Sequence, residues 1–372
     1  MRYMKPSYYD SFRCLADQCP ASCCEGWQIM IDEKSLKRYW NWDGKLRGRL
    51  INSIDWEEGA FLQYDRKCAF LNEQFLCDLQ AEAGEEALCS TCREYPRHVE
   101  EFEGVREYSL SLSCPEAARI MLTEKGKSSF VQWEDEKEDE FEEDFDFLLY
   151  TRLLEAREIL FSVMEKEEVS FSVRMEECLF FAERLQKLLE EGDFAALEEW
   201  TEGFAFDCNR GKNSMEKRKA KRFENMQKVW QILMELEHLE ISWEKRLQDV
   251  QKSLYREGKE SYDACYESFC KAREQEDFGS REWDRMMEKI VIFFIYTYFC
   301  GAVYDDAVYS KVLLSAFSAA WIEECLMAEY KEKGRLPKEE EVIRMAYQYA
   351  REIEHSDQNL NALEDWFWQI SH

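Results

Sequence analysis

The chain has 372 residues, of which 45% are hydrophobic and 15% aromatic, enough for a sizeable buried core and more than one domain. Its 78 acidic and 49 basic side chains give a net charge of −29, so the surface repels phosphate backbones and anionic membrane surfaces. This charge argues against nucleic-acid binding and favours a partner with exposed lysines.

Cysteine is concentrated in the first third of the chain. The N-terminal residues contain no apolar signal core, so we expect a cytoplasmic, reducing environment. Clustered cysteines in such an environment usually bind metal or do redox work. Nine of the fifteen lie before residue 115: Cys14, Cys19, Cys23, Cys24, Cys68, Cys77, Cys89, Cys92 and Cys114. The other six are scattered, and we expect them to be small buried hydrophobes.

The first motif reads Cys14-x4-Cys19-x3-Cys23-Cys24 and continues into Glu25-Gly26-Trp27. Adjacent cysteines rarely form a disulfide with each other, so one of the pair can face a metal while its neighbour faces away. Gly26 would let the backbone pass close to a bound centre.

The second group of motifs comprises Cys68, Cys77, Cys89-x2-Cys92 and Cys114-Pro115. A C-x2-C loop is typical of zinc and iron–sulfur sites, and a cysteine followed by proline occurs at many iron–sulfur ligands. Soft thiolates select zinc, copper(I) or iron–sulfur clusters. Since only His98 lies near these cysteines, an all-thiolate site is expected. Spacing alone does not distinguish zinc from iron–sulfur.

Proline and charge patterns divide the chain into three parts. Four of the five prolines precede residue 116, which predicts an irregular cysteine-rich region over residues 1–125, built around a metal centre. The acidic run within residues 126–146 predicts a linker. Residues 147–372 repeat apolar positions at three- and four-residue spacings, which predicts a mainly α fold: a helical bundle or an irregular α-solenoid. The longest apolar run, residues 290–304, is too short to span a membrane, so we expect a buried core helix and no membrane insertion.

The order and context of the cysteine motifs resemble the start of the flagellin lysine N-methylases. The match covers roughly residues 4–122, and it is also similar to a broader group of zinc- or iron-chelating cysteine-rich domains. The segments that carry the resemblance are Pro6-Ser7-Tyr8-Tyr9, Phe12-Arg13-Cys14, Cys23-Cys24-Glu25-Gly26-Trp27, Cys68-Ala69-Phe70-Leu71, Leu76-Cys77, Thr91-Cys92-Arg93, Tyr95-Pro96-Arg97 and Ser113-Cys114-Pro115-Glu116.

This resemblance implies a cytoplasmic methyltransferase that modifies surface lysines of flagellin, with S-adenosylmethionine as donor and a [4Fe-4S] cluster as cofactor. Zinc is the alternative metal. The first-choice ligands are Cys19, Cys23, Cys68, Cys77 and Cys92, followed by Cys24, Cys14, Cys89 and Cys114. The C-x3-C-x2-C spacing of radical enzymes is not present, and no glycine-rich G-x-G turn follows a predicted strand.

Methyl transfer to lysine requires the neutral amine, because an ammonium has no lone pair. The reference pKa of lysine is about 10.4, so the site must supply a base or lower this pKa. Asp32 and Tyr95 are candidates for handling the proton, although each residue type is more often structural. Arg93 could pair with the carboxylate of the donor, or instead form an ion pair with Glu94.

Two other functions are compatible with the sequence. The chain could be a redox sensor with a closed four-thiolate centre, or an interaction scaffold in which zinc ties the N-terminal region to the helices. Neither of these would bind a methyl donor.

Overall fold

The structure is a computed structural model that describes residues 1–137, 145–275 and 280–371. Its first part consists of short elements on irregular connections, as predicted. In chain order they are β1 (Arg2–Pro6), α1 (Glu33–Trp40), α2 (Arg47–Asn52), β2 (Ile54–Asp55), β3 (Ala60–Phe61), β4 (Gln63–Tyr64), β5 (Lys67–Cys68), α3 (Asp78–Ala83), α4 (Ser90–Glu94), β6 (Arg97–Phe102), β7 (Val105–Leu110), α5 (Pro115–Thr123) and β8 (Phe130–Glu134).

A four-stranded sheet, which the sequence analysis does not predict, organises this part. Its order is β6-β7-β1-β8, with β1 parallel to β7 and the other neighbours antiparallel. The β6–β7 hairpin turns at Glu103-Gly104, where Gly104 has a φ of +69° that suits a tight turn. Strand β8 lies inside the segment predicted as a linker, so that prediction is wrong for residues 130–134. Residues 138–144 of the same segment lie outside the described residues.

The second part is helical. Its elements are α6 (Phe147–Met164), α7 (Phe171–Glu190), α8 (Phe194–Gly203), α9 (Cys208–Ala220), α10 (Arg222–Glu235), α11 (Ile241–Val250), α12 (Lys259–Gln275), α13 (Ser280–Tyr298), α14 (Ala302–Asp305), α15 (Val308–Lys333), α16 (Glu339–Glu354) and α17 (Asp357–Ser371). A π-helical turn at Gln251–Tyr255 follows α11, and a 3-10 turn at Phe299–Gly301 follows α13.

Helix α15 is the centre of this part. It packs against α7, α13, α16, α17, α10, α11 and α12. In a solenoid each repeat contacts only its neighbours along the chain, so the solenoid alternative is wrong and the bundle alternative fits. An Asp146 carboxylate that accepts from the Leu149 amide (2.8 Å) caps the first helix of the bundle.

Most of the apolar run at residues 290–304 lies in the core, as predicted, although Tyr304 at its end is exposed. The stretch Arg281–Asp305 is long and apolar enough to cross a membrane by length and composition alone. However, 83% of its most apolar window is buried within the protein, so this apolar surface is already used in packing.

Three hydrophobic cores are present in the described residues. The largest one combines the bundle with sheet residues such as Met4, Phe102 and Val105. A second lies in the cysteine-rich region around Tyr39 and Phe61, and a third, of only four residues, includes Phe12 and Leu110. The cysteine-rich region therefore has its own small core and meets the bundle along an interface.

Candidate functional site

The first cysteine motif pairs with the chain segment that carries Cys68. The Cys68 amide donates to the Cys24 carbonyl (N···O 2.8 Å), and the Gly26 amide donates to the Arg66 carbonyl (2.9 Å). Gly26 has a φ of +92°, in the left-handed region that favours glycine. The fold thus brings two motifs together that are far apart in the sequence.

Cys89 and Cys92 flank the start of α4, and Asp32 fixes this start in place. The backbone amide and the hydroxyl of Ser90 each donate to the Asp32 carboxylate at 2.9 Å. The two thiols form a hydrogen bond with each other, which lowers the pKa of Cys89 and, together with burial, raises the pKa of Cys92. Cys89 is therefore the member of the pair that ionises first.

Cys23 is the centre of the cysteine constellation. Burial is the main reason that the pKa values of the Cys19, Cys77 and Cys114 thiols are raised, and the charge of Cys23 raises each of them further. Electrostatic interactions of the same kind connect the remaining thiols. Cys14 acts on Cys19. Both Cys24 and Cys68 act on Cys92, and both Cys77 and Cys89 act on Cys68. Each of the nine predicted thiols thus interacts with at least one other.

The chemistry of this donor set suits a cationic thiophilic centre. Burial raises the pKa of Cys68 to about 11 and that of Cys114 to about 12, so both thiols hold their protons until a metal displaces them. Within residues 1–137, 145–275 and 280–371, however, no three Cys, His, Asp or Glu side chains converge on one ion. The metal centre therefore stays a prediction. A cluster is larger than one ion and draws on more widely spaced thiolates.

A buried arginine from the bundle reaches the first cysteine motif. Arg351, on α16, is only 2% exposed, and its Nη2 donates to the carbonyls of Glu25 (2.8 Å) and Ser22 (3.2 Å). Its Nε donates to Glu240 (2.7 Å), whereas Nη1 is buried without a hydrogen-bond partner within the described part of the chain. A buried guanidinium with an unused donor is suited to a nearby anion.

The charge of Arg351 acts on the thiols of the same motif. Burial raises the pKa of Cys19, and the hydrogen bond with Cys24 raises the pKa of Cys23; Arg351 acts against both shifts. It therefore favours thiolates at these two positions.

A cavity of about 520 Å³ lies between the cysteine-rich region and the bundle. We call it the reaction pocket. Its walls combine aromatic rings with charged side chains, and the carboxylates of Glu94, Glu100, Glu354, Asp357 and Glu364 outnumber the basic side chains of Arg97 and Lys311. Trp27, Tyr95, Tyr298, His98 and His355 also line it. Aromatic faces and carboxylates are both groups that bind a cation.

Trp27 connects the pocket to the cysteines. Its indole N–H donates to the Cys23 carbonyl (2.8 Å), and its ring stacks on His355, with 4.6 Å between ring centroids. The wall of the pocket is therefore attached directly to the first cysteine motif.

Glu354 is the carboxylate in this pocket that is best suited to accept a proton. One oxygen accepts from the Ser113 amide (3.0 Å) and the Ser111 hydroxyl (3.1 Å), and the other accepts from Tyr298 (3.4 Å). Burial raises its pKa to about 7, although these hydrogen bonds and the charge of His98 act in the opposite direction. A carboxylate with this pKa can take up a proton near neutral pH.

His355 serves to hold this wall together. Its Nε2 lies 2.9 Å from the Ser113 hydroxyl, which is also 3.1 Å from the Tyr95 hydroxyl. Burial and the charge of Arg351 lower the pKa of His355 to about 3, so the imidazole is neutral near pH 7. It is therefore a weak base.

The structure places the three predicted non-cysteine site residues in different surroundings. Asp32 caps α1 and accepts hydrogen bonds from the Ser35 amide (2.9 Å) and from Ser90. Burial alone would raise the pKa of the Asp32 carboxyl, but these hydrogen bonds lower that pKa well below its usual range. Arg93 is half exposed and pairs with Glu94 at 3.3 Å. Tyr95 lines the reaction pocket, and burial raises its pKa far above the usual value.

The motifs in the sequence do not point to Arg351, Glu354 or His355. They stand more than 200 residues beyond the cysteine motifs, on a helix whose pattern reads as ordinary bundle packing. The local signal was the short segment Arg351-Glu352-Ile353-Glu354-His355, which places one of only four histidines beside an arginine and two acids.

Comparison with known proteins gives the family. The FliB lysine N-methylase C-terminal domain matches residues 157–371, which include Arg351, Glu354 and His355. The flagellar biosynthetic protein FliU of Salmonella muenchen is 30% identical over 129 residues, which cover 32% of this chain and 76% of FliU. The lysine-N-methylases of Salmonella typhimurium and Salmonella choleraesuis are each 30% identical over 129 residues.

Those 129 residues make up 32% of each lysine-N-methylase, so the match spans about a third of their length. No solved structure matches the chain. The domain match nevertheless covers more than half of the present sequence. The chain therefore belongs to the FliB family of protein-lysine N-methylases.

Proposed function

We propose that this protein transfers the methyl group of S-adenosylmethionine to surface lysines of flagellin in the cytoplasm, and that its cysteine-rich region holds a [4Fe-4S] cluster. The family supplies lysine N-methylation, and the name of the FliU relative refers to flagellar biosynthesis. One observation carries the proposal further: Glu354 lies in a pocket attached to the cysteine motifs.

The pocket suits a lysine side chain in both of its protonation states. The acidic and aromatic walls attract the ammonium form, and the −29 net charge steers lysine-rich surfaces toward the protein. The carboxylate of Glu354 then takes one proton from the ammonium, so that the amine nitrogen gains a lone pair.

The methyl step balances without a further reactant. The amine nitrogen forms a bond to the methyl carbon while the bond from that carbon to the donor sulfur breaks. The electron pair of the broken bond stays on sulfur, which leaves as a neutral thioether. The product leaves as the methylated ammonium, and Glu354 then returns its proton to water, so the reaction releases one proton overall.

The cluster would be held by thiolates from the constellation around Cys23. With three of these thiolates as ligands, a cluster would be able to bind and orient the methyl donor. Arg351, which has an unused Nη1 donor and whose charge acts on Cys19 and Cys23, would offset the negative charge of the ligands. Trp27 would link that centre to the pocket wall.

The test is methyl transfer by protein purified without oxygen. The wild-type protein and the variant Glu354→Gln would be incubated with flagellin and methyl-labelled S-adenosylmethionine, and lysine methylation would be read by mass spectrometry. We expect iron and sulfide in the protein, and transfer that depends on Glu354. A protein that holds zinc and no iron, and leaves flagellin unmethylated, would overturn the proposal in favour of a zinc-stapled scaffold.

A further inference from the structure

A second cavity, of about 410 Å³, lies entirely within the bundle. We call it the methionine groove, because four methionines contribute to its wall. Its principal lining side chains come from six helices: Met175 (α7), Met215 (α9), Met226 (α10), Met287 (α13), Phe317 (α15) and Phe367 (α17). Flexible, polarizable methionine side chains adapt to the apolar face of a bound helix.

The mouth of the groove is basic, unlike the protein as a whole. The segment 208–228 holds eight Lys and Arg against two Glu, whereas the whole chain carries −29. Two of these cations, Lys219 and Lys228, line the groove and are exposed. Neither has an ion-pair partner within the described part of the chain, whereas Arg218 and Arg222, also at the groove, are paired with glutamates.

The groove and the reaction pocket share two helices. On α17, Leu360 lines the reaction pocket and Phe367 lines the groove, seven residues or about 10 Å further along the helix. On α15, Lys311 lines the reaction pocket and Leu313 lines the groove. A protein seated in the groove would therefore have its neighbouring surface close to the reaction pocket.

We infer that the methionine groove docks an acidic amphipathic helix of the methyl-accepting protein. Apolar side chains of that helix enter the groove, and its carboxylates meet Lys219 and Lys228. Acidic segments are repelled elsewhere on this surface, so charge complementarity selects this position. The inference deepens the proposed function, on which it rests: the acidic pocket recognises the lysine, and the basic groove recognises the protein that carries it.

The test separates docking from chemistry. The double variant Lys219→Glu/Lys228→Glu would be compared with Lys212→Glu/Lys252→Glu, which changes the net charge equally at exposed lysines outside both cavities. Flagellin affinity would be measured by calorimetry without methyl donor. Methylation would be measured on flagellin and on a short peptide that carries one of its methylated lysines.

We expect the groove variant to weaken flagellin binding at least tenfold and to raise the KM for flagellin without lowering kcat. Its activity on the short peptide should equal that of the control variant. Equal flagellin affinity in the two variants would overturn the inference, even if both methylate flagellin. A second result would also overturn it. If the groove variant loses dodecanoate binding, the control variant keeps it, and flagellin binding is unchanged in both, then the groove holds a small amphiphile and not a protein helix.

Absence of methylation by the wild-type protein would contradict the proposed function alone. The calorimetric comparison would still decide whether the groove docks flagellin.

Discussion

Arg351 shows how one side chain can join two regions. It is buried on α16, yet its hydrogen bonds end on carbonyls of the cysteine motif. A planar guanidinium can donate to several carbonyls at once, whereas a lysine ammonium is a compact point charge. Arg351 therefore contributes both its positive charge and the several N–H donors of its planar guanidinium.

We predict that Arg351→Gln lowers the amount of iron that the protein retains after anaerobic reconstitution. The glutamine lacks the positive charge that favours thiolates at Cys19 and Cys23. Arg351→Lys should retain more iron than Arg351→Gln, because it keeps the charge. Iron per chain and visible absorption measure the effect, and Arg344→Gln, on the same helix, is the matched control. Equal iron in all variants would contradict the role of Arg351.

Glu354 leads to a prediction about pH. Only its carboxylate form accepts a proton, and its pKa is about 7. Methyl transfer should therefore increase as the pH rises through about 7, provided that flagellin binding is saturated. The charged and titratable groups that line the pocket with this carboxylate are Glu94, Tyr95, Arg97, His98, Glu100, Tyr298, Lys311, His355, Asp357 and Glu364.

Glu354→Gln should lower kcat by about 10²- to 10⁴-fold and remove the rise near pH 7. The matched control is Glu94→Gln, since Glu94 lines the same pocket but is exposed and paired with Arg93. Rate profiles between pH 5.5 and 9 check this, with roughly one decade of rate expected per pH unit below the pKa. A profile that is unchanged in Glu354→Gln would refute the assignment of the base.

Cys23 is the most informative cysteine to replace. Its charge reaches Cys19, Cys77 and Cys114. Cys23→Ser should lose most of the bound iron, while Cys265→Ser, a half-buried position on α12, should keep it. Metal analysis of both purified variants gives the comparison. Full iron loading in Cys23→Ser would show that the constellation has another centre.

At the scale of elements, a buried ion pair joins the sheet to the bundle. Arg157 on α6 is 1% exposed and makes a bidentate contact with Glu107 on β7, which is 2% exposed. Tyr296 on α13 adds two hydrogen bonds to strand carbonyls, those of Met4 (3.2 Å) and Tyr108 (3.1 Å). These contacts fix the sheet, and hence the cysteine-rich region, relative to the bundle.

Breaking this pair should be costly. Arg157→Leu leaves the Glu107 carboxylate buried without its partner, which should lower the free energy of unfolding by about 3–5 kcal/mol. The double variant Glu107→Leu/Arg157→Leu should lose less, because no lone charge remains. Urea unfolding followed by circular dichroism measures both. A double variant that is less stable than Arg157→Leu would contradict this explanation.

At the scale of the whole molecule, the N-terminal strand is integrated into the fold. β1 lies between β7 and β8, and its Tyr3 and Met4 are buried. The largest core includes Met4 together with helices of the bundle. The N-terminal strand therefore contributes to the stability of the entire protein.

Deletion of residues 1–6 should lower the free energy of unfolding by about 3–6 kcal/mol from the lost burial of Tyr3 and Met4 alone. The control Arg2→Ala/Lys5→Ala keeps the strand and should stay within about 1 kcal/mol of wild type. Thermal unfolding of both proteins checks the prediction. If the deletion and the control unfold at the same temperature, β1 is not part of the cooperative core.

The sequence by itself determined the features that depend on local order. Three- and four-residue spacing of apolar side chains predicted the bundle helices, and the apolar run at residues 290–304 predicted a core helix. The cysteine motifs and their context indicated the methylase family, which the match to residues 157–371 confirms through a different part of the chain.

Only the tertiary structure decided which residues meet. The central position of β1 depends on pairing with strands more than 100 residues away, and such long-range pairing leaves little trace in local patterns. Arg351 and Glu354 look like ordinary helix residues until α16 packs beside the cysteine-rich region. Burial then raises the pKa of Glu354 and leaves one Arg351 donor unused, because desolvation and charge proximity are properties of the folded surroundings.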